Sequence, residues 1–403
     1  MPSILAVSET VPWPTSSGGA IRTFHLLRQL SEEFDVGFVG GATSNQQATE
    51  GTAALREFCH HVEVVPNERA SRRAASILNL SRTLLKNEPA FVAYHWNPGV
   101  DSAVQRALST AEYDLLHLDH LDTVPYARNW PAGRFVIDTH NLLYQYFQRR
   151  SELESNPLLR PLMRAEARRL FAYELNTFRR AGSVITCSEP ERETLLRHAP
   201  NLSVFQVPNG VDCDHFRPVR NPPRSDSSHL VFVGNMAYEP NHDAAMYFAR
   251  QVLPQIVERK PEMTFLVVGS DPKPELLRLA ADRDDIEVTG FVEDVVPSFR
   301  EATIFVVPIR FGSGTRLKVL EAFAMGLPVV STSLGSEGIA YSEGRDIAIA
   351  DEPARMADIV CRLLDDPERL ARMGAEARQT VVQNYDWRVI GRQIRDVYRN
   401  LDA

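Results

Sequence analysis

Short apolar runs recur along the chain and alternate with segments in which apolar residues have helical spacing. The runs are rich in Val and Ile and are located at Ile4–Val7, Val36–Val39, Val62–Val65, Leu115–Leu118, Phe135–Ile137, Val184–Thr186, Val204–Val207, Leu230–Val233, Phe265–Val268, Ile286–Val288, Ile304–Val307, Val329–Ser331 and Ile347–Ile349. Continuous apolar runs of this length are typical of parallel strands that are covered by helices on both faces. The alternation therefore predicts an α/β protein with doubly wound parallel sheets.

A segment rich in proline and serine separates the runs into two groups. It extends from Arg217 to His229 and can continue neither a helix nor a central strand, so we interpret it as a linker between two Rossmann-like domains. The predicted divisions are an N-terminal domain over 1–217, a linker over 218–229, a C-terminal domain over 230–385, and a terminal helix over 386–403 that packs back on the N-terminal domain. The carboxyl ends of the two sheets then face each other across a cleft, where open α/β sheets bind ligands.

Composition narrows the class of protein. The chain has 403 residues, of which 44% are hydrophobic and 24% charged, as expected for two globular domains. Its net charge of -8 argues against a general nucleic-acid binder. We find neither an apolar run that could span a bilayer nor the pattern of a signal peptide, and the four cysteines lack metal-ligand spacing. We therefore expect a cytoplasmic enzyme.

The segment from Pro308 to Ser331 carries the most informative chemistry. A strand ends near Pro308, a glycine-rich turn follows, and a helix is predicted from Thr315 to Gly326. Gly312 and Gly314 allow the backbone to approach a ligand closely, and the first N–H groups of the helix attract phosphate.

Three charged side chains in this helix suit a nucleotide. Arg316 and Lys318 supply positive charge for a diphosphate, and Glu321 can accept hydrogen bonds from ribose hydroxyls. For an isolated helix the alternative is a solvated face with a weak surface ion pair. The position at the end of a strand favours a ligand site.

Together with five other motifs, this segment resembles the family-4 retaining glycosyltransferases, which have the two-domain GT-B fold. The other motifs are Gly18–Arg22, Asp138–Asn141, Cys187–Glu189, Val207–Asp212 and Gly290–Val292. The closer resemblance is to the branch found in exopolysaccharide gene clusters, and it lies in Gly234–Asn241 and Gly312–Lys318.

The resemblance implies roles for particular residues. His140 would touch the donor sugar near its reacting carbon, and with Arg316, Lys318 and Glu321 it forms the expected catalytic set. The expected donor-binding residues are Gly18, Gly19, Asn235, Phe291, Val292, Gly312, Ser313, Gly314, Thr315, Arg316, Lys318 and Glu321. In isolation, Gly18 and Gly19 also fit an ordinary turn, and His140 also fits a structural hydrogen bonder.

Three positions depart from the family pattern. Ser313 stands eight residues before Glu321, where many members have a second glutamate that contacts the transferred sugar. Asn235 replaces an arginine, and Pro240 and Asn241 stand around the expected lysine. We infer that Arg316 and Lys318 supply the missing charges, and the identity of the donor sugar stays open.

The sequence thus predicts a retaining, hexosyltransferase-type enzyme of surface polysaccharide synthesis, making exopolysaccharide or lipopolysaccharide. The expected donor is a UDP- or GDP-sugar, and the acceptor is a glycan or a lipid-linked sugar. We expect neither a metal nor another cofactor, because side chains and helix amides supply the positive charge that the departing diphosphate needs.

An arginine-rich stretch follows His140 and is interleaved with leucines. Its arginines are Arg149, Arg150, Arg160, Arg164, Arg168, Arg169, Arg179 and Arg180. Such a stretch can lie on an anionic membrane, which would place the protein at the inner face of the cytoplasmic membrane. A solvated helix with a core-facing stripe is the simpler interpretation.

Three other functions are compatible with two Rossmann-like domains. A sugar-nucleotide epimerase of the same fold would need paired acids and histidines that we do not find. A non-catalytic subunit that binds nucleotide is favoured slightly by Ser313. An NAD enzyme is disfavoured, because no Gly-x-Gly-x-x-Gly follows the first strand.

Overall fold

The computed structural model describes residues 1–66, 83, 89–154, 156–218, 228–312 and 314–401. Two compact units are present. The first comprises Met1–Pro208 with Ile390–Ala403, and the second comprises Asn209–Val389. In the described residues each unit contains one sheet, and all strand pairs are parallel.

The sheet of the first unit has seven strands. They are β1 (Ser3–Thr10), β2 (Asp35–Ala42), β3 (His61–Pro66), β4 (Leu115–Asp119), β5 (Phe135–Thr139), β6 (Ser183–Thr186) and β7 (Val204–Gln206). The helices around it are α1 (Gly18–Leu30), α2 (Asn45–Leu55), α3 (Ala90–His95), α4 (Pro98–Thr110), a 3₁₀ helix (Leu121–Ala127), α5 (Leu143–Leu153), α6 (Leu159–Phe178) and α7 (Glu189–His198). The strand order β3-β2-β1-β4-β5-β6-β7 reverses direction between β1 and β4, where such sheets bind ligands.

The sheet of the second unit has six strands in the order β10-β9-β8-β11-β12-β13. They are β8 (His229–Val233), β9 (Thr264–Val268), β10 (Ile286–Val288), β11 (Ala302–Val307), β12 (Val329–Ser331) and β13 (Ala348–Ile349). The helices are α8 (Glu239–Tyr247), a π-helical turn (Phe248–Val252), α9 (Leu253–Val257), α10 (Pro274–Ala281), α11 (Val296–Glu301), α12 (Leu317–Ala324), a 3₁₀ turn (Leu334–Ser336), α13 (Pro353–Leu364), α14 (Pro367–Asn384) and α15 (Trp387–Arg399). Each of the thirteen predicted runs contributes a strand, so the α/β fold class is confirmed.

The central strands are buried on both faces, which explains why their sequences are continuously apolar. In β1 the residues Ile4 to Val7 are at most 1% exposed, and in β11 the residues Ile304 to Val307 are fully buried. Alternating polar residues would have been placed under a helix layer, where they would lack hydrogen-bond partners.

The end of the chain packs on the first unit. From Ile390 onwards α15 is grouped with that unit, and Arg395 pairs with Glu32 at 2.7 Å and with Glu33 at 3.1 Å. The Tyr398 hydroxyl lies 2.5 Å from Nδ1 of His117 in β4. The helix therefore buries one apolar stripe against the first unit, and these polar contacts hold the helix in place.

The boundary between the units differs from the predicted one. The first unit ends at Pro208, well before residue 217. The following residues contact the second unit instead, because the Val211 amide donates to the carbonyl of Tyr385 at 2.8 Å. The guanidinium of Arg378 also donates to the carbonyls of Cys213 and Phe216. Most of the predicted linker, 218–229, lies outside the described residues.

The glycine-rich segment forms the predicted strand, turn and helix, with one correction. The helix begins at Leu317 rather than near Thr315, and Arg316 is its extended N-cap residue. Gly312 and Gly314 have φ values of 122° and 82°, so the loop uses left-handed backbone that delays the helix.

At the other end of this helix, Gly326 has a φ of 69°, and the Leu327 amide donates to the carbonyl of Ala322. This left-handed glycine ends the helix as predicted. Across the described residues, no helix combines the length and apolarity that crossing a membrane requires.

Candidate functional site

Loops at the carboxyl ends of the strands in the second unit lie side by side. The amide of Gly234, after β8, donates to the carbonyl of Val268 at the end of β9. The amide of Gly269 donates to the carbonyl of Gly290, after β10. Several expected donor-binding residues lie in or next to these loops, at the edge where parallel sheets bind ligands.

Lys318 is held at this edge by two contacts. Its Nζ donates to Oδ1 of Asn241 at 2.8 Å and lies 4.2 Å from the centre of the Phe232 ring. A Cβ atom added to Gly234 would lie 2.8 Å from this Nζ and 2.7 Å from Nδ2 of Asn241. The absence of a side chain at Gly234 therefore makes room for the ammonium group.

The pKa values of Lys318 and Glu321 converge. Burial, together with the nearby charge of Arg316, lowers the pKa of Lys318 to about 7, although Glu321 opposes the shift. Burial raises the pKa of Glu321 to about 7, and Lys318 opposes it. The expected full positive charge on Lys318 is therefore incomplete at neutral pH without a ligand. A bound diphosphate would favour the ammonium form.

Arg316 lies under the glycine-rich loop and is 7% exposed. A Cβ atom at Gly312 would lie 2.9 Å from Nη2 of Arg316, so this glycine lets the loop pass close to the guanidinium. The hydroxyl of Thr315 is buried and has no hydrogen-bond partner within the described ranges. Ser313 lies outside the described residues.

The other predicted residues of this unit shape the loops or face solvent. Phe291 is 74% exposed directly after Gly290, which has a φ of 71°. Val292 packs against the core. Asn235 accepts the Ala237 amide through Oδ1 at 2.7 Å, and its carbonyl accepts Nδ2 of Asn241 at 2.9 Å. Asn235 therefore positions Asn241, the partner of Lys318.

In the first unit, a buried ion pair joins two of the predicted motifs. Arg22 donates from Nε to Oδ2 of Asp138 at 2.8 Å and from Nη2 to Oδ1 at 2.6 Å. Arg22 and Asp138 are 1% and 0% exposed. This two-pronged contact fixes α1 against the end of β5.

The ion pair lies beside a second buried carboxylate, Asp119. One of its oxygens accepts Thr23 Oγ1 at 2.8 Å and contacts Nε2 of His140 at 2.7 Å, and the other accepts Ser8 Oγ at 2.6 Å. Burial alone would favour neutral Asp119, but the charge and hydrogen bond of His140 and the bond from Ser8 hold its pKa well below the usual range. Burial likewise disfavours charged His140, but Asp119 and Asp138 raise the pKa of the imidazole.

The structure brings His140 and Gly19 together. A Cβ atom at Gly19 would lie 3.3 Å from Nδ1 of His140, so the ring lies against bare backbone at the start of α1. Ser17 caps this helix by accepting the Ala20 amide at 3.3 Å. Gly18 is the exposed first residue of the helix.

His120 was missed by the sequence analysis. It has a φ of 75°, which is uncommon for a residue with a side chain, and its ring stacks on His140 with centroids 5.2 Å apart. Burial and the charge of His140 lower the pKa of His120 to about 3. A neutral imidazole therefore stacks on one whose pKa is raised. The signal in the sequence was the polar pair Asp119 and His120 directly after the apolar run that ends at Leu118.

A pocket of about 240 Å³ opens beside these residues. Its lining includes Gly19, Asp119, His120 and His140 at one part and Glu9, Gln47 and Asp122 elsewhere. Among the described residues, potential metal ligands come together at two places: the ligand atoms of Glu9, His95 and Asp122 lie within 4.8 Å of one another, as do those of His117, Asp119 and Asp138. The two aspartates of the second group already bind Arg22 and His140. In the first group, Nδ1 of His95 lies 3.1 Å from a carboxylate oxygen of Glu9.

The arginine-rich stretch forms α5 and α6, with exposed leucines between and on them. Leu158 is 77% exposed and Leu162 is 65% exposed. A separate pocket of about 550 Å³ lies beside Phe171, Arg164 and Arg168. The stretch therefore combines exposed apolar side chains with exposed cationic ones.

Both units match glycosyltransferase families. Residues 40–215 match the family model described as Glycosyltransferase Family 4, and residues 227–366 match Glycosyl transferases group 1. The chain therefore carries a glycosyltransferase domain of each description.

Curated proteins similar to this chain have low sequence identity with it. A glycogen synthase of Mycobacterium tuberculosis is 27% identical over 58% of this chain and 58% of its own length. The chain thus spans little more than half the length of the first curated relatives that it matches. An uncharacterized 44.6 kDa protein in the cps region of Klebsiella pneumoniae is 24% identical over 96% of this chain and 97% of its own length.

A solved structure supports the fold over the whole chain. The Anabaena protein HepE, crystallised in complex with UDP and glucose, has a TM-score of 0.68 and 15% identity and covers 99% of this chain and 100% of its own. The likeness confirms the predicted GT-B type of fold, with one parallel sheet in each unit.

Proposed function

We propose that this chain is a glycosyltransferase that moves a sugar from a nucleotide-diphosphate sugar to a glycan or lipid-linked acceptor, with retention of configuration. The observation that carries the proposal is the loop and helix start at Gly312–Glu321, which gathers Arg316, Lys318 and Glu321 at the ligand-binding edge of a parallel sheet. The two glycosyltransferase family matches agree with it.

The donor would bind the second unit through its diphosphate and ribose. Arg316 and Lys318 would face the diphosphate together with the first amides of α12, which carry the positive end of the helix dipole. Glu321 would accept the ribose hydroxyls. Phe291 and Val292 would lie near the base, and the exposed ring of Phe291 offers it an apolar face.

The first unit would hold the donor sugar. Its carboxylate neighbours raise the pKa of His140, and Nδ1 of the ring lies against Gly19, so this nitrogen would donate a hydrogen bond to a sugar hydroxyl or a phosphate oxygen. The buried contacts of Asp119 and Asp138 fix its orientation.

In the transfer step, a bond forms between the acceptor oxygen and the anomeric carbon while the bond from that carbon to the diphosphate oxygen breaks. The acceptor proton passes to the departing diphosphate on the same face, which preserves the configuration. Negative charge develops on the diphosphate, and Arg316 and Lys318 stabilise it. One such donor is typically worth about 3 kcal/mol of barrier. We expect the transfer to need no metal and to persist in EDTA.

The biological setting that we propose is surface or exopolysaccharide synthesis. The full-length likeness to a protein of the Klebsiella cps region supports it. We also propose a peripheral membrane contact through Leu158, Leu162 and the neighbouring arginines, because exposed leucines between cationic residues suit an anionic surface that carries lipid-linked acceptors.

Nucleotide binding is the first test. UDP, GDP and ADP should be compared by thermal shift and calorimetry. A nucleotide at about 100 times its dissociation constant should stabilise the protein by about 2.7 kcal/mol. Lys318→Ala and Glu321→Ala should remove most of this gain, whereas Lys260→Ala, a surface lysine paired with Asp365, should not. Stabilisation by none of the nucleotides would contradict the proposal.

A non-catalytic nucleotide-binding subunit is the second candidate, favoured by Ser313 at the position of a family glutamate. It predicts the same nucleotide binding without release of UDP or GDP from any nucleotide sugar. Transfer or slow hydrolysis of a donor sugar, lost in Lys318→Ala, would exclude it.

A further inference from the structure

His117 lies next to the two carboxylates that hold Arg22 and His140. It is a fully buried residue of β4, and its side chain leaves the same face of the sheet as Asp119, two residues further along the strand. Asp138 stands opposite Asp119 in β5. A nitrogen of His117 and an oxygen of each aspartate lie within 4.8 Å of one another. The imidazole is therefore a close neighbour of the groups that orient His140.

Tyr398 contacts this imidazole from the last turn of α15. Its hydroxyl oxygen is 2.5 Å from Nδ1 of His117, and the residue is 1% exposed. The ring of Tyr398 also packs edge-on against Phe34, with the centroids 5.8 Å apart. The other imidazole nitrogen, Nε2, is buried without a hydrogen-bond partner in the part of the chain that the structure describes. Within that part, Tyr398 alone anchors the His117 ring by a hydrogen bond.

The hydrogen bond between Tyr398 and His117 fixes which nitrogen carries the ring proton. Burial lowers the pKa of His117, and the charges of Arg22 and His140 lower it further while the two aspartates oppose the shift, so the ring is neutral and has one proton. Burial also raises the pKa of Tyr398 well above its usual value, so its hydroxyl stays protonated. This hydroxyl has no second hydrogen-bond partner among the described residues, so a proton on Nδ1 would leave the hydroxyl proton buried without an acceptor. The hydroxyl therefore donates to Nδ1, and the ring proton is on Nε2.

Without this anchor the imidazole would compete for the carboxylates. A buried polar group that loses its partner turns to the nearest one available, which here is an oxygen of Asp119 or Asp138. Those oxygens already bind His140 at 2.7 Å and Arg22 at 2.6 Å and 2.8 Å. A hydrogen bond from His117 to either aspartate would therefore weaken its hold on His140 or on Arg22.

We propose that Tyr398 is a positioning residue of the transferase site. By binding Nδ1 of His117, it keeps this imidazole away from Asp119 and leaves that carboxylate to orient His140. The inference rests on the proposed function, in which His140 meets the donor sugar, and it extends the site to the last helix of the chain. A merely structural role would be limited to holding α15 on the first unit. The two roles differ in what Tyr398→Phe does to His140.

Nitrogen NMR of the histidine side chains tests the first step. In the full chain with isotope-labelled histidine, the signals of His117 are identified by their loss in His117→Phe, and those of His140 by their loss in His140→Asn. We expect a protonated Nε2 and an unprotonated Nδ1 in His117 at about pH 7. Tyr398→Phe removes the donor to Nδ1 and retains the aromatic ring, so the ring signals of both histidines should shift. A proton on Nδ1 of His117 in the wild type would overturn the inference.

Kinetics test the consequence for the proposed reaction. Release of UDP from UDP-glucose and of GDP from GDP-mannose measures donor turnover, and calorimetry measures UDP affinity. Tyr398→Phe should lower kcat about fivefold to tenfold and leave UDP affinity within about twofold, because the proposed nucleotide contacts lie in the second unit. Replacing His117 as well removes the competing N–H group. Tyr398→Phe combined with His117→Phe should therefore recover most of the lost kcat.

Arg399→Gln is the matched control. Arg399 lies in the same turn of α15, and its partners are two surface acids, Glu33, with an oxygen 2.8 Å from Nε, and Asp396. Its replacement weakens the docking of the helix without touching His117, so it should change neither kcat nor the ring signals of His140. Thermal melting of each variant establishes that it is folded.

Three further results would overturn the inference. They are unchanged ring signals of His140 in folded Tyr398→Phe, an equal loss of kcat in Arg399→Gln, and no recovery of kcat in the folded double variant. A wild type that turns over neither donor would count against the proposed function instead. In that case the ring signals of His140 still decide whether Tyr398 positions it.

Discussion

The two polar clusters at the strand ends differ in how the protein compensates their charges. In the first unit, Arg22 pairs with Asp138, and Asp119 is matched by His140 and two hydroxyls. In the second unit, burial moves the pKa values of Lys318 and Glu321 to about 7. The protein itself therefore pre-organises the charges of the first cluster. In the second cluster, Lys318 and Glu321 are only partly charged at neutral pH, and a bound ligand can favour their charged forms.

This difference separates structural from ligand-dependent roles. The buried pair of Arg22 and Asp138 should be costly to break, and its contribution to stability should not depend on nucleotide. Substitutions in the cluster with shifted pKa values should change the free energy of unfolding little but weaken nucleotide binding strongly.

The largest expected effect is on the buried pair of the first unit. Asp138→Ala leaves the guanidinium of Arg22 buried without its carboxylate and should lower the free energy of unfolding by about 3–5 kcal/mol. Urea denaturation measures it. Asp243→Ala is the control, because it breaks a similar two-pronged pair with the half-exposed Arg310 and should cost less than about 1 kcal/mol. Equal losses in the two variants would show that burial does not govern the difference.

Replacing Asp122 should stabilise the protein rather than destabilise it, because the buried negative charge of Asp122 is unfavourable in the folded state. Its pKa of about 7 in the folded state exceeds the value of about 3.9 expected in the unfolded chain. Between these values the folded state holds more protons, so the contribution of Asp122 to stability falls as pH rises and stays low above pH 7. The groups facing it are Glu9, His95 and Asp119.

Asp122→Asn should therefore raise the free energy of unfolding by about 2 kcal/mol at about pH 8 and change it little at about pH 4. Denaturant titrations at the two pH values test this, with Glu50→Gln as the exposed control. Destabilisation at about pH 8 would mean that the carboxylate has a partner that compensates its charge.

Gly234→Ala should weaken nucleotide binding although it replaces no charged residue. The new Cβ would crowd Nζ of Lys318 and Nδ2 of Asn241, so we expect UDP to bind about tenfold more weakly. Calorimetry measures the loss. The same substitution in a Lys318→Ala background should add little, because neighbouring effects that act through one group are not additive. If the losses of the two substitutions add fully, Gly234→Ala does not act through Lys318.

The smallest expected effect is a pH dependence of UDP affinity. Affinity should fall several-fold between about pH 7 and about pH 9, because Lys318 with a pKa of about 7 loses the proton that attracts the diphosphate. Lys318→Arg should flatten this dependence, since arginine stays charged. An unchanged slope in that variant would assign the titration to another group.

Much of the fold followed from local patterns. Runs such as Ile4–Val7 and Ile304–Val307 predicted strands correctly because a strand buried on both faces must be apolar throughout. The stop at Gly326 was also predictable, since a left-handed residue ends the helix there. The start at Leu317 was not, because Gly312 and Gly314 permit several loop paths and packing selects one of them.

The candidate site residues were likewise only partly predictable from the sequence. The motifs located His140, Lys318 and Glu321, but they did not reveal Asp119, His120 or Asp122, which follow an ordinary-looking apolar run.

The sequence by itself determined the parallel α/β class and the positions of the glycine-rich loop and its charged helix, because these depend on residues close together in the chain. Only the tertiary structure decided which side chains meet. Arg22 and Asp138 are 116 positions apart, and β1, β4 and β5 become neighbours only through the strand order of the folded sheet. The shifted pKa values of Lys318 and Asp122 have the same origin, since burial and neighbouring charge arise from packing rather than from the local sequence.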